Sequence, residues 1–223
     1  MSIQALTRSV AVLFLFCGLG NPVEAASVKV VALGDSLTAG LGLPASQSFP
    51  AKLEAALRAR GHDVTIVNAG VSGDTASDGL ARLDWSVEDG ANAVILELGA
   101  NDALRGVDPA TTRAALDKIL RRLNERHLPV LITGMLAPLN FGDDFAKRFD
   151  AIFPELAGKY GVELYPFFLD GLVSKLDVTH GGASRTDLFQ ADGMHPNAAG
   201  VDLIVERMLP VVERLLQRLV KPS

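Results

Sequence analysis

Cysteine is almost absent from this chain. Among 223 residues there is only Cys17, and it falls in an N-terminal stretch that reads as removable. A mature chain without cysteine forms no disulfide and has no thiolate nucleophile. Long basic runs are missing as well, and the formal net charge is −5. Nucleic acid is therefore not an expected partner. The longest apolar run near the start, Val10 to Phe16 with Cys17-Gly18-Leu19-Gly20 behind it, falls short of the roughly 20 residues a spanning helix needs. A stable membrane anchor is not expected. There is no Walker phosphate loop and no His-Glu-x-x-His metal motif, and Gly-x-Ser-x-Gly, the nucleophile elbow of α/β-hydrolases, is missing too. Gly40-Leu41-Gly42-Leu43-Pro44-Ala45 formally fits a dinucleotide fingerprint. Pro44, the distance from the preceding strand and the lack of an acidic residue closing the next strand argue against it. The expectation is a protein without cofactor or metal.

What is present begins with a leader. Arg8 supplies a positive start, the apolar run follows, Asn21-Pro22 breaks it, and Val23-Glu24-Ala25 offers a small-residue cleavage site. That order is the pattern of an export signal. The expectation is a cleaved signal peptide over residues 1–25, one domain over 26–223, and a secreted or periplasmic location.

Beyond the leader, apolar β-rich runs alternate with helical patterns, as in a parallel sheet with crossover helices. The spacing predicts strands at Ser27–Leu33, Val64–Val67, Ala93–Leu98, Pro129–Thr133 and Val162–Tyr165. Helices are predicted at Phe49–Arg60, Asp78–Trp85, Asp108–Arg126, Asp144–Lys159 with a break at Pro154, and Pro196–Leu219 with a kink or break at Pro210. Asn68–Asp74 and Gly99–Gly106 read as loops, and Leu169–Gln190 as the least regular section. Five parallel strands with helices on both faces make an α/β protein whose ligands bind outside the carboxyl ends of the strands.

The Gly-rich polar loops all follow strands, so they converge on one edge. Ser36 follows the first strand in Gly34-Asp35-Ser36-Leu37, where a turn can expose its hydroxyl. By itself this is also ordinary turn chemistry. A serine nucleophile needs a base, a group to orient that base, and donors for an oxyanion. Of four histidines, His62 and His127 precede strands and fall on the opposite edge. His180 sits in the irregular section, where position does not exclude it. His195 lies in Asp192-Gly193-Met194-His195, where one short turn delivers both a base and a carboxylate. Gly73 and Asn101, in loops after the second and third strands, offer a free N–H and a side-chain amide. With the Ser36 N–H they would form a three-point oxyanion hole.

The blocks Gly34-Asp35-Ser36-Leu37, Gly73, Gly99-Ala100-Asn101-Asp102 and Asp192-Gly193-Met194-His195 resemble, in order, those of the SGNH (GDSL) hydrolase superfamily. Ser72-Gly73-Asp74-Thr75, Gly79-Leu80-Ala81-Arg82-Leu83, Glu97-Leu98, Leu104-Arg105-Gly106 and His195-Pro196-Asn197 are similar to its bacterial periplasmic thioesterase/lysophospholipase/arylesterase branch. The resemblance implies a three-layer α/β/α sandwich of flavodoxin-like order. It implies Ser36 as nucleophile, His195 as base and Asp192 as its orienter, with Ser36, Gly73 and Asn101 as the oxyanion hole. It further implies hydrolysis of acyl esters or thioesters of aryl ester, lysophospholipid or acyl-CoA type, through an acyl-enzyme. Two alternatives remain: a carbohydrate acetyl esterase, and a catalytically silent lipid- or sugar-binding module on the same fold. The apolar loop Leu136–Phe141, with Leu41 and Leu43, suggests an acyl-chain pocket. The section Gly171–Gln190 is longer and richer in Gly and Ser than is usual in that branch, and would form a lid or an inserted surface loop.

Overall fold

In the computed structural model, residues 27–173 and 186–220 are described. The expected leader, His180 and most of the Gly171–Gln190 section lie outside them. Five parallel strands form one sheet in the order β2-β1-β3-β4-β5. They are β1 (Val28–Gly34), β2 (Val64–Gly70), β3 (Ala93–Glu97), β4 (Val130–Thr133) and β5 (Glu163–Tyr165). β1 and β3 are buried on both faces, which is why they read as unbroken apolar runs and not as alternating ones. Val30, Leu33, Ala93, Val94, Ile95 and Leu96 are all fully enclosed.

Helices cover both faces. α2 (Phe49–Ala59) and the closing helix, α9 (Ala198–Val220), pack together on one side. α3 (Ala76–Ala81), α6 (Pro109–Glu125) and α8 (Ile152–Tyr160) cover the other. The result is a three-layer α/β/α sandwich of flavodoxin-like order. The helix starts follow local chemistry. Asp108 caps α6 by accepting from the Ala110 N–H, with Pro109 in the first turn. Thr75 and Asp78 form a capping box at α3.

Several boundaries differ from expectation. β2 continues through Gly70, three residues beyond Val67, because β1 extends alongside it and pairs as far as Gly34 with Gly70. The predicted helix over Asp78–Trp85 is two short ones, α3 and α4 (Leu83–Ser86), meeting at Arg82. The stretch read as a loop over Gly99–Gly106 holds a six-residue helix, α5 (Ala100–Arg105), closed at Gly106 in the left-handed conformation. The break expected at Pro154 comes at Ala151, between α7 (Asp143–Asp150) and α8. Pro154 is the third residue of α8, in the first turn, where its missing N–H costs no intrahelical bond. Pro210 lies inside α9, which does not end there.

Gly34 closes β1 where there is no room for a side chain. A Cβ there would stand 2.1 Å from Thr38 Oγ1, 2.6 Å from Glu97 Oε2 and 2.7 Å from the Glu97 carbonyl oxygen. Gly34→Ala is expected to lower stability by about 1–3 kcal/mol, the usual cost of overpacking. A urea denaturation midpoint equal to wild type would contradict this crowding.

Candidate active site

All five strands end on one edge, and the site is built there. It lies at the switch point, where the connections leaving β1 and β3 diverge. Ser36 is the first residue of α1 (Ser36–Ala39), and Asp35 caps that helix by accepting from the Leu37 N–H at 3.0 Å. The strand, the cap and the short helix together fix the direction of the Ser36 side chain.

His195 reaches it from the far end of the chain. Its Nε2 is 2.9 Å from Ser36 Oγ, and its Nδ1 is 2.6 Å from Asp192 Oδ2. The other oxygen of Asp192 accepts the backbone N–H groups of Met194 at 2.9 Å and His195 at 3.0 Å. Those backbone N–H bonds, with His195 Nδ1, hold the Asp192 carboxyl down at about 2. The turn is tied to α2 through the helix that follows it: Lys52 Nζ bonds the Ala198 carbonyl and Asp202 in the first turn of α9. The other two described histidines lie elsewhere. His62 Nε2 is 3.4 Å from Glu213 Oε1, and His127 sits in the turn after α6.

Gly73 and Asn101 stand beside Ser36 around one cavity. Gly73 has φ 91°, a conformation that favours glycine. Among the described residues neither the Ser36 N–H nor the Gly73 N–H has a hydrogen-bond acceptor. Asn101, expected as a side-chain amide donor, has both its protons engaged. Its Nδ2 donates to Asp35 Oδ2 and to the Asp74 carbonyl, each at 3.0 Å. Its Oδ1 accepts from Arg105 Nη2 at 3.3 Å, and the same nitrogen donates to the Gly73 carbonyl at 2.9 Å. Arg105 thus braces the Gly73 loop against α5, a role that its place in Leu104-Arg105-Gly106 does not by itself reveal. The signal was its position four residues after Asn101, one helical turn along the same face.

Two more residues, present in the quoted blocks, have no role of their own in the sequence reading. Asp35, read as part of a turn, is a fully buried carboxylate. Glu97, the last residue of β3, is also fully buried and accepts from Thr38 Oγ1 at 2.8 Å and the Asp35 N–H at 3.2 Å. Burial raises the pKa of both carboxyls, that of Glu97 further because Asp35 lies beside it. An acid at the end of an otherwise apolar buried strand is the sequence signal that could have found Glu97.

The cavity in front of Ser36 has a volume of about 450 Å³. Its inner wall is apolar, with Met135, Leu136, Pro138, Phe167 and Phe189. Leu41, Leu104 and Met194 line it too and are each about half exposed to solvent. Of the residues expected to form an acyl pocket, Leu41, Leu136 and Pro138 line it. Leu43 instead packs against the core, and Phe141 lies against Gly106 and Phe145.

The fold is that of an SGNH-type α/β hydrolase. The chain belongs to the GDSL-like Lipase/Acylhydrolase family, whose model matches residues 32–203. It is 35% identical over 194 residues to Esterase TesA of Pseudomonas aeruginosa, covering 86% of this chain and 92% of that one. It is 34% identical over 204 residues to Thioesterase 1/protease 1/lysophospholipase L1 of Escherichia coli K12, covering 91% and 92%. Among solved structures, AlinE4, an SGNH-hydrolase family esterase, superposes with a TM-score of 0.68 at 44% identity, over 88% of this chain and 98% of that one. The chain is a hydrolase of ester bonds.

The ionisation of Asp192 has a consequence for pH. Its folded pKa lies below the value of about 3.9 for an unfolded aspartate. What it contributes to stability is therefore present above that value and lost as pH falls toward 2. In a ¹³C NMR titration the Asp192 carboxyl is expected to show a midpoint near 2. A midpoint near 4 would mean that the two backbone bonds do not hold it.

Proposed function

We propose that the protein is a serine esterase that cleaves acyl esters and thioesters through an acyl-enzyme on Ser36. The observation that carries this reading is the line from Asp192 through His195 to Ser36, with contacts of 2.6 and 2.9 Å, opening on an apolar cavity. Ser36 Oγ attacks the acyl carbonyl while His195 Nε2 takes its proton. Asp192 supports the imidazolium through Nδ1–H. The oxyanion accepts from the N–H groups of Ser36 and Gly73. The Asn101 amide joins them by exchanging its bond to the Asp74 carbonyl for the substrate oxygen. His195 then protonates the departing alcohol or thiol, and water releases the acyl group by the same steps in reverse.

The half-exposed apolar residues at the cavity mouth favour an acyl chain longer than acetyl, and they weigh against a carbohydrate acetyl esterase. Aryl esters, acyl-CoA-type thioesters and lysophospholipids all present such a chain. A silent binding module would have no need of a base hydrogen-bonded to the serine. Among the described residues no helix is long and apolar enough to cross a membrane. With the export pattern at residues 1–25, we place the protein in the periplasm or outside the cell, as one domain following the leader.

On p-nitrophenyl butyrate, Ser36→Ala is expected to abolish turnover, and an organophosphonate should add to Ser36 by mass spectrometry. Undiminished turnover in the variant would refute the mechanism. Asp192→Asn should fold normally and lose about ten-thousandfold in kcat; a near-wild-type rate would mean that another group orients His195. Across a p-nitrophenyl ester series, kcat/KM should peak at a medium chain, and a steady fall from acetate would count against the acyl pocket.

A further inference from the structure

Beneath the Ser36 turn lie two carboxyl groups that the proposed mechanism does not use. Asp35 and Glu97 are both fully buried and adjacent: Glu97 pairs with Gly34, the residue before Asp35, and accepts the Asp35 N–H at 3.2 Å. Asp35 accepts two hydrogen bonds, from the Leu37 N–H and from Asn101 Nδ2, one at each oxygen. Glu97 Oε2 accepts from Thr38 Oγ1 and the Asp35 N–H. Glu97 Oε1 is buried and meets no donor among the described residues.

Among the described residues the neighbouring cations are engaged elsewhere. Arg82 donates to Asp74 Oδ2, Ser86 Oγ and the carbonyls of Gly34 and Ala69. Arg105 holds Gly73 and Asn101, and His195 lies between Ser36 and Asp192. Asp102, the next acid along α5, accepts from Thr112 Oγ1 and the Ala76 N–H. Two charged carboxylates side by side, buried and without a counter-ion, are strongly disfavoured. A single proton between them removes the repulsion, as in other close carboxyl pairs. Of the two Glu97 oxygens Oε1 is the one that meets no donor among the described residues, and so the one open to carry that proton.

We propose that Glu97 is a positioning residue that works as a neutral acid, donating its proton to Asp35 so that the pair holds one negative charge against the Asn101 amide. This rests on the oxyanion role given to Asn101 under the proposed function. The shared charge keeps Nδ2 directed toward the serine side of the loop. The Glu97 carboxyl also ties β3 to the first turn of α1 through Thr38. It touches no substrate and acts through Asp35 and Asn101.

Three variants and one spectrum test this. Glu97→Gln reproduces the neutral acid: its amide can donate to Asp35 and its carbonyl can accept from Thr38 and the Asp35 N–H. It should keep kcat within about threefold of wild type. Glu97→Ala should lower kcat about a hundredfold, the usual scale for loss of an oxyanion donor, with KM little changed. Infrared difference spectra of wild type minus Glu97→Gln at neutral pH should show the C=O stretch of a protonated carboxylic acid. That readout does not depend on turnover or on whether Glu97→Ala folds. A folded Glu97→Gln as impaired as Glu97→Ala, or a difference spectrum showing only carboxylate bands, would overturn the proposal. Ser36→Ala, assayed in parallel, separates this outcome from failure of the serine mechanism, because the acid band is expected in that background too.

Discussion

The level at which β1 sits between its two neighbours governs everything at the working edge of this protein. Gly34 pairs with Gly70 on one side and Glu97 on the other, so three strands reach the edge at the same height. The segments that follow them carry Ser36, Gly73 and Asn101. Because side chains alternate faces along a strand, a slip of one residue in either pairing would move every side chain of that strand to the opposite face of the sheet, into packing shaped for other residues, and shift the segment that follows it. Core burial and the spacing of the site residues are therefore set by the same register. Bulk cannot be added at the joint either, since Gly34 is hemmed in by Thr38 and by both side chain and backbone of Glu97.

Much of this could be read from the residues. The alternation of apolar runs and helical patterns led to a parallel sheet, and the position of each polar loop after a strand brought Ser36, Gly73, Asn101 and the Asp192–His195 turn to one edge. The physical reason is that strand direction is a long, repeated signal. Short elements carry less. α5 has six residues between Gly99 and Gly106, and two glycines so close read as a loop. The break before α8 falls at Ala151 because proline disrupts a helix only after its first turn.

The site was legible where one residue type announces its chemistry, and obscure where the environment makes the chemistry. A serine after Gly-Asp and a histidine three residues from an aspartate are visible in a string of letters. That Asp35 is enclosed, that Glu97 lies against it, and that both protons of the Asn101 amide are already donated are facts of three-dimensional crowding. Asn101 carries the general lesson. Residue type says that two donors exist, but only the fold shows that Asp35 and the Asp74 carbonyl take them.

Ser36 and His195 are 159 positions apart in sequence, and the turn bearing His195 leads directly into α9, which lies on α2. A chain emerging from the ribosome completes its nucleophile loop early and its histidine almost last. Until the C-terminal helix has been made and has docked, the hydroxyl of Ser36 has no imidazole partner. Partial translation products are thereby left without the Ser36–His195 contact, and the hydrogen bond itself marks completed folding.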